Sequence, residues 1–329
     1  MEQQRTPKVV GLLCGREFSF PPAFIRRVDE LGAPHGITGQ MVQLGGTKMD
    51  EPSRYRVIVD RISHEVEYYR GAMKHAVLQG TYVINNPFWW TADDKYFNYS
   101  VMAKLGVAIP RTVLLPQKGY PADIDLTPES LHNLVYPIDW DGLLDYVGRP
   151  AILKPYSGGG WKHVYKVADK RELLEAYDRT SPYCMTLQQF IDFDSYVRCF
   201  TFGKTDITPV AYDPREPRYL VEHEYLSADV GARVVRDAQL INLALGYEMN
   251  TIEFAIADGV PYAIDYLNPA PDFERDRITS FYFTHVVEKM AHLVVDRALN
   301  GHPAQCWPRW EEMLGIGPAA GFTGAPGLP

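Results

Sequence analysis

Apolar positions in the first ninety residues follow two alternating patterns. Val9 to Cys14 is a short continuous apolar run that predicts a buried strand, and Phe24, Ile25, Val28 and Leu31 recur at helical spacing, predicting a helix that Gly32 can end. Tyr55 to Val59 and Thr81 to Asn85 predict two more strands, on either side of a helical stretch from Glu67 to Leu78. Strand, helix and strand in that order favour a parallel sheet.

The spacing of Phe97, Val101, Met102 and Leu105 predicts a helix over 94–105 that Gly106 stops, and 107–115 reads as extended through Pro110. Residues 116–148 carry several prolines and the run YPIDWDGLLDYVG, and read as an elaborated connection holding a short helix or two. Ala151 to Lys154, then SGGGW, then HVYKV predict two strands joined by a glycine-rich turn. A helix follows from Asp169 to Tyr177, with Asp169 as N-cap and Glu172 completing a capping box.

Strands are expected at Thr186 to Ile191, Val197 to Phe202 and Thr208 to Ala211. Val230, Val234, Ala238, Ile241 and Leu245 mark a helix ending at Gly246. The runs TIEFAIADG and VPYAIDYLN form a strand pair turning at Asp258 and Gly259, and Val286, Val287, Met290, Leu293 and Val294 mark a last helix. From Gly301 the tail is rich in proline and glycine, without periodicity, and is expected to be loosely held. The fold class is therefore α/β for the amino-terminal parallel-sheet unit and α+β beyond it.

Composition narrows the function. A chain of 329 residues with 46% hydrophobic content can bury a sizeable core in two or three compact units. Its 33 basic and 41 acidic residues leave a net charge of -8, which argues against a general attraction to nucleic acid or anionic membranes and points to small-molecule partners. The first apolar stretch is broken by Gly11 and Gly15 and is too short for a secretory or spanning segment, so the expected location is the cytoplasm. Cys14, Cys184, Cys199 and Cys306 are scattered, with no CxxC pair, and are expected to be reduced thiols.

Two local patterns carry chemistry. Lys154 ends an apolar strand and is followed by Ser157, Gly158, Gly159 and Gly160, so a fixed ammonium stands beside backbone that can approach an anion closely. Near the other end, Glu253 on one strand faces Asp265 and Asn268 near the end of the next, a hard oxygen set suited to Mg²⁺. Apolar neighbours flank these acids, and acids there are costly without a cation to meet them. The sequence holds no GxxxxGK[ST] loop, no GxGxxG after the first strand and no HExxH.

The order of these elements resembles the ATP-grasp superfamily over residues 9 to about 300: an α/β unit, Asp94-Lys95, an LGVAIP turn, strand-lysine-glycines, Gln188-Gln189-Phe190-Ile191, Arg198, then Glu253 with Asp265 and Asn268. The resemblance implies an amino-terminal pre-ATP-grasp domain (1–90), a two-lobed ATP-grasp domain with a small lobe (91–185) and a large lobe (186–300), and a tail (301–329). It implies that Lys95 and Lys154 meet ATP phosphates, that Ser157, Gly158, Gly159, Gly160 and Trp161 form the loop that closes over them, and that Gln188, Gln189, Phe190 and Ile191 meet the adenine. Gln188 stands where an acid is usual, and its amide oxygen can still accept a hydrogen bond from the adenine amino group. Asp194 matches a ribose contact and Arg198 the arginine facing the γ-phosphate. The family's metal strand usually ends in an acid, one residue and an asparagine, whereas here two residues separate Asp265 from Asn268. A β-bulge at Tyr266 or Leu267 would absorb the extra residue.

The activity so implied is an ATP-dependent carboxylate-amine ligation through an acyl phosphate, using ATP with Mg²⁺ or Mn²⁺. Lys154 and Arg198 would offset the charge on the transferring phosphoryl group. The expected partners are a small-molecule carboxylate and an amine, with no nucleic acid and no membrane, and a homodimer is compatible with the sequence. Arg215, Arg218 and His223, in the polar stretch DPREPRYLVEHEY, are candidates for holding a substrate carboxylate, with Asp272 at the start of a second candidate stretch. Three alternatives stay open: carboxylation with bicarbonate, phosphorylation as the end reaction, and a non-catalytic nucleotide sensor.

Overall fold

The structure is a computed structural model and describes residues 8–88, 94–120, 126–158, 162–221, 225–302 and 307–315. Gly159, Gly160, Trp161, His223 and Cys306 lie outside the described residues. The first sheet is built from β1 (Lys8–Leu13), β2 (Ile37–Met41), β3 (Val57–Asp60) and β4 (Tyr82–Ile84), in the order β2-β1-β3-β4 and parallel throughout. Helices α1 (Phe20–Gly32) and α2 (Glu67–Leu78) connect its strands. The pattern of apolar residues misses β2, because ITGQM buries only Ile37 on an edge strand. Gly32 is the last residue of α1, and space there admits only glycine: a Cβ would lie 2.7 Å from the Ile37 carbonyl oxygen. The left-handed residue is Gly36 (φ 67°), after a single 3-10 turn over Ala33–His35.

The second sheet is antiparallel. Helix α3 (Lys95–Lys104) leads to β5 (Thr112–Leu115), and α4 (Trp140–Val147) precedes β6 (Ala151–Pro155) and β7 (Tyr165–Val167). Helix α5 (Lys170–Arg179) leads to β8 (Met185–Gln189), and the strand order is β5-β8-β6-β7. Alternation along the strands decides what faces where. Ala151, Leu153, Met185 and Leu187 join a core with α4 and α5, and Lys154, Thr186, Ile152 and Gln188 share the opposite face. Asp169 caps α5 by accepting from the Glu172 N–H (2.9 Å), but Glu172 returns its bond to the Ala168 N–H (2.8 Å), one residue before the N-cap.

In the third sheet, β9 (Ser195–Phe202), β10 (Asp206–Asp213), β11 (Arg218–Leu220), β12 (Met249–Ala257) and β13 (Val260–Asp265) are ordered β11-β10-β9-β12-β13, all antiparallel. Asp258 (φ 50°) and Gly259 (φ 71°) make a two-residue turn whose left-handed backbone matches strand twist. Helix α6 (Ala228–Leu245) packs with α3 on one face of this sheet, around Met102, Val197, Ile241, Ile252 and Phe254. Helix α7 (Arg275–Asn300) covers part of the other face, where Phe200, Phe202 and Met249 share one core with Val10, Val57 and Ile84 of the first sheet. A short helix, α8 (Trp310–Leu314), sets the Trp310 ring edge-on against Phe97. Among the described residues no helix is long and apolar enough to cross a membrane.

Polar ties fasten the first sheet to the third. The Glu274 carboxylate accepts from the N–H groups of Phe18, Ser19 and Phe20 at the start of α1 (2.9 to 3.2 Å), where unpaired amides and the helix dipole favour an anion. Glu248 accepts from the Tyr82 hydroxyl (2.7 Å) and pairs with Arg297 (2.9 Å).

Candidate active site

Strand β9 explains where the site lies. Phe202 and Phe200 sink into the core shared with the first sheet, and Arg198 and Tyr196, next along the same face, lie beyond it. Antiparallel register sets Glu253 of β12 opposite Arg198, and Val210 opposite it on β10. Arg198 Nη2 donates to Glu253 Oε1, and the Tyr196 hydroxyl donates to Glu253 Oε2. The guanidinium carbon stands 3.9 Å from the centroid of the Tyr212 ring, and Nη1 donates to the Tyr219 hydroxyl at 3.3 Å. Burial alone would lower the Arg198 pKa, but Glu253 and the two tyrosines outweigh it and raise it.

No bulge at Tyr266 or Leu267 absorbs the extra residue between Asp265 and Asn268, because strand β13 ends at Asp265 and Tyr266 and Leu267 lie after it as buried loop residues. A different bulge precedes Asp265: Glu253 faces Asp265, whereas the next residue on β12, Phe254, faces Ala263, so Ile264 is extra. Ile264 needs no ladder partner for its oxygen, which accepts from the Tyr99 hydroxyl (2.7 Å) and the Lys154 ammonium (3.1 Å). Beyond the strand, Asn268 Nδ2 donates to Thr251 Oγ1 (3.0 Å), which lies on the Glu253 face of β12. Its other amide atom, Oδ1, is left as an acceptor.

Both lysines arrive from outside the third sheet. Lys95 opens α3 behind its N-cap Asp94, whose side chain accepts from the Phe97 N–H, and its Nζ lies 3.2 and 3.3 Å from the two Asp265 oxygens. Lys154 projects from β6 onto the Tyr99 hydroxyl at 2.8 Å. Burial pushes the Lys154 ammonium down to about 8, against the pull of Asp265. Burial would raise Asp265, but Lys95 and Lys154 overcome it and hold the carboxyl below its usual range. Two carboxylates and an amide oxygen fit a divalent cation that keeps water and phosphate oxygens as its other ligands. Among the described residues no three His, Cys, Asp or Glu side chains cluster as a metal site by themselves.

The remaining candidates divide. Gln188 shares a sheet face with Lys154 and donates to Thr112 Oγ1 at 2.8 Å, and Gln189 Oε1 accepts from the Arg111 N–H at 3.3 Å. Lys166 stands 3.6 Å from the centroid of the Phe190 ring, and Ile191 is buried beside Tyr196. The Asp194 carboxylate accepts from the Asp258 N–H (3.2 Å) and steadies the β12–β13 turn. Ser157 and Gly158 follow β6, with Gly158 at φ 85°. Arg218 pairs with Glu216 on the surface, and the Arg215 guanidinium carbon stands 5.9 Å from the centroid of the Phe193 ring. Asp272 accepts from the Glu274 N–H (3.1 Å) ahead of α7. Tyr99, Tyr196, Tyr212 and Tyr219 were missed. Tyr196 stands two residues from Arg198 on one strand, a period-two signal that was present, but the other three meet the site only through tertiary contacts.

No protein-family model matches the chain, and no curated protein sequence matches it. Solved structures do match. The D-alanine–D-alanine ligase of Bacillus anthracis is 17% identical with a TM-score of 0.60, over 89% of this chain and 97% of that one. An ATP-grasp RimK domain protein from Sphaerobacter thermophilus is 17% identical with a TM-score of 0.61, over 89% and 100%. The ATP-grasp ligase PsnB, solved with a minimal precursor, Mg and ADP, is 16% identical with a TM-score of 0.55, over 91% and 98%. The chain has the ATP-grasp fold.

Proposed function

We propose that this chain is an ATP-dependent ligase joining a carboxylate to an amine through an acyl phosphate, with release of ADP and phosphate. The observation that carries the reading is the meeting of Lys95, Lys154 and Arg198, from three different elements, with Glu253 and Asp265. That set can hold a polyphosphate and a divalent cation together. The likeness to ligases, one of them solved with Mg and ADP, supports it.

In this reading Lys95 and Lys154 take phosphate oxygens of ATP, the face carrying Ile152 and Gln188 receives the adenine, and Asp194 lies toward the ribose. Glu253, Asp265 and Asn268 would hold Mg²⁺, or Mn²⁺ in its place, which offsets charge on the phosphates as the phosphoryl group moves. A substrate carboxylate oxygen bonds to the γ-phosphorus as the bond to ADP breaks. The amine then bonds to the carbonyl carbon, the bond to phosphate breaks, and the amine's proton passes to solvent. Arg198, held over the Tyr212 ring, would balance the tetrahedral oxyanion.

A screen of carboxylate and amine mixtures for ADP release, with mass spectrometry on each positive pair, tests the reading. Saturating Mg-ATP, at a hundredfold over its Kd, should stabilise the protein by about 2.7 kcal/mol. No change in melting temperature at millimolar Mg-ATP would remove the basis of the proposal.

A further inference from the structure

We propose that Lys95 is an internal counter-ion for the metal ligand Asp265, so that divalent-metal binding is conditional on a polyphosphate first drawing the lysine away. The inference rests on the ligase reading and deepens it. Both carboxylates of the ligand set already have cationic partners: Arg198 holds Glu253, and Lys95 lies 3.2 and 3.3 Å from the oxygens of Asp265. With Lys154 nearby, three cations face two carboxylates. A divalent cation arriving alone meets a net positive cluster and must break an ion pair to gain its ligand.

Access does not explain such a barrier, since the Asp265 side chain is 44% exposed while that of Lys95 is only 7% exposed. Lys95 is nearly shut off from bulk water, and removing its partner would leave a buried ammonium unpaired. Phosphate oxygens supply the replacement. Once they accept from the lysine, Asp265 is released beside Glu253, and the phosphates add further metal ligands. Asn268, fixed through Nδ2 on Thr251, keeps its oxygen in reserve throughout.

The test uses the full chain, Mn²⁺ as probe and paramagnetic resonance to count free metal. Without nucleotide, the wild type should bind Mn²⁺ weakly, and Lys95→Met should bind it about tenfold or more tightly. With the β,γ-imido analogue of ATP, the wild type should gain at least the same factor. The new site in Lys95→Met should vanish when Asp265→Asn is added, which assigns it to this carboxylate, and Lys95→Gln should behave as Lys95→Met if that variant folds poorly. Equal nucleotide-free affinity in wild type and both lysine variants would overturn the proposal, as would tight Mn²⁺ binding by the wild type alone. If those results come with intact binding of the analogue, the ligase reading survives; if the analogue does not bind at all, both fall.

Discussion

The Lys154 ammonium lies 3.1 Å from the backbone oxygen of Ile264, the extra residue of β13, and so ties the second sheet to the third through a defect in a strand ladder. Deleting Ile264 would restore a regular ladder with Asp265 still opposite Glu253, and would take away the oxygen that accepts from Tyr99 and Lys154. The variant should keep its fold and its Mg²⁺ dependence, lose some stability through the Tyr99 and Lys154 bonds, and bind ATP more weakly because Lys154 loses its anchor. Calorimetry with and without metal checks this, and an ATP affinity equal to that of the wild type would show that the bulge does not position Lys154.

Lys154 is buried with its pKa depressed to about 8, so its charge opposes folding at neutral pH. The unfolded chain holds this proton up to about pH 10.4, and the native state gives it up near 8. Between those values the unfolded state binds more protons, and stability from this group rises with pH. Lys154→Met should therefore melt about 2–4 °C above wild type near neutral pH, with the gap closing by about pH 10, while ATP affinity falls sharply. A lower melting temperature at neutral pH would contradict the assignment.

ATP should re-protonate the same group. At about pH 8.5 much of Lys154 is neutral in the free protein, and a triphosphate beside it favours the charged form. Binding heats measured in buffers of different ionisation enthalpy should show net proton uptake at that pH and almost none near pH 6.5, where the lysine is already charged. Equal uptake at both would place the triphosphate elsewhere.

Arg198→Ala should cut kcat for ADP formation by on the order of 10² to 10³ and leave most ATP affinity in place, because its role lies in the transition state. The stack on Tyr212 gives a finer test. Tyr212→Leu should slow turnover by about 2- to 30-fold and Tyr212→Phe should restore it, since the ring face carries the interaction. Turnover within about threefold of wild type in Arg198→Ala would move the oxyanion partner elsewhere.

The sequence made the elements legible wherever burial imposed a period. Helix α2 spans Glu67–Leu78 as expected, and the Asp258-Gly259 turn is where the left-handed backbone falls. Strand β2 escaped because an edge strand with one buried residue has no pattern to show. At the site, Lys154, Glu253 and Asp265 could be named from their own surroundings in the sequence and Lys95 and Arg198 only through the family resemblance, and the structure brings them together. The bulge expected at Tyr266 or Leu267 does not form, because the strand ends at Asp265, and the bulge at Ile264 was not legible, because the donors to its freed carbonyl, Tyr99 and Lys154, are 165 and 110 residues away in sequence.

Val10, Val57 and Ile84 of the first sheet close against Val286, Met290 and Val294 of α7. The ribosome therefore makes the strands of that face well before the helix that covers them. At about 5–20 residues per second, one apolar face of the first sheet stays open for tens of seconds. Among the described residues the core of the second sheet lies within Val113 to Leu187, so this sheet can close during that interval. Folding during synthesis should thus start in the middle of the chain, and the earliest strands should be the segment that chaperones hold longest.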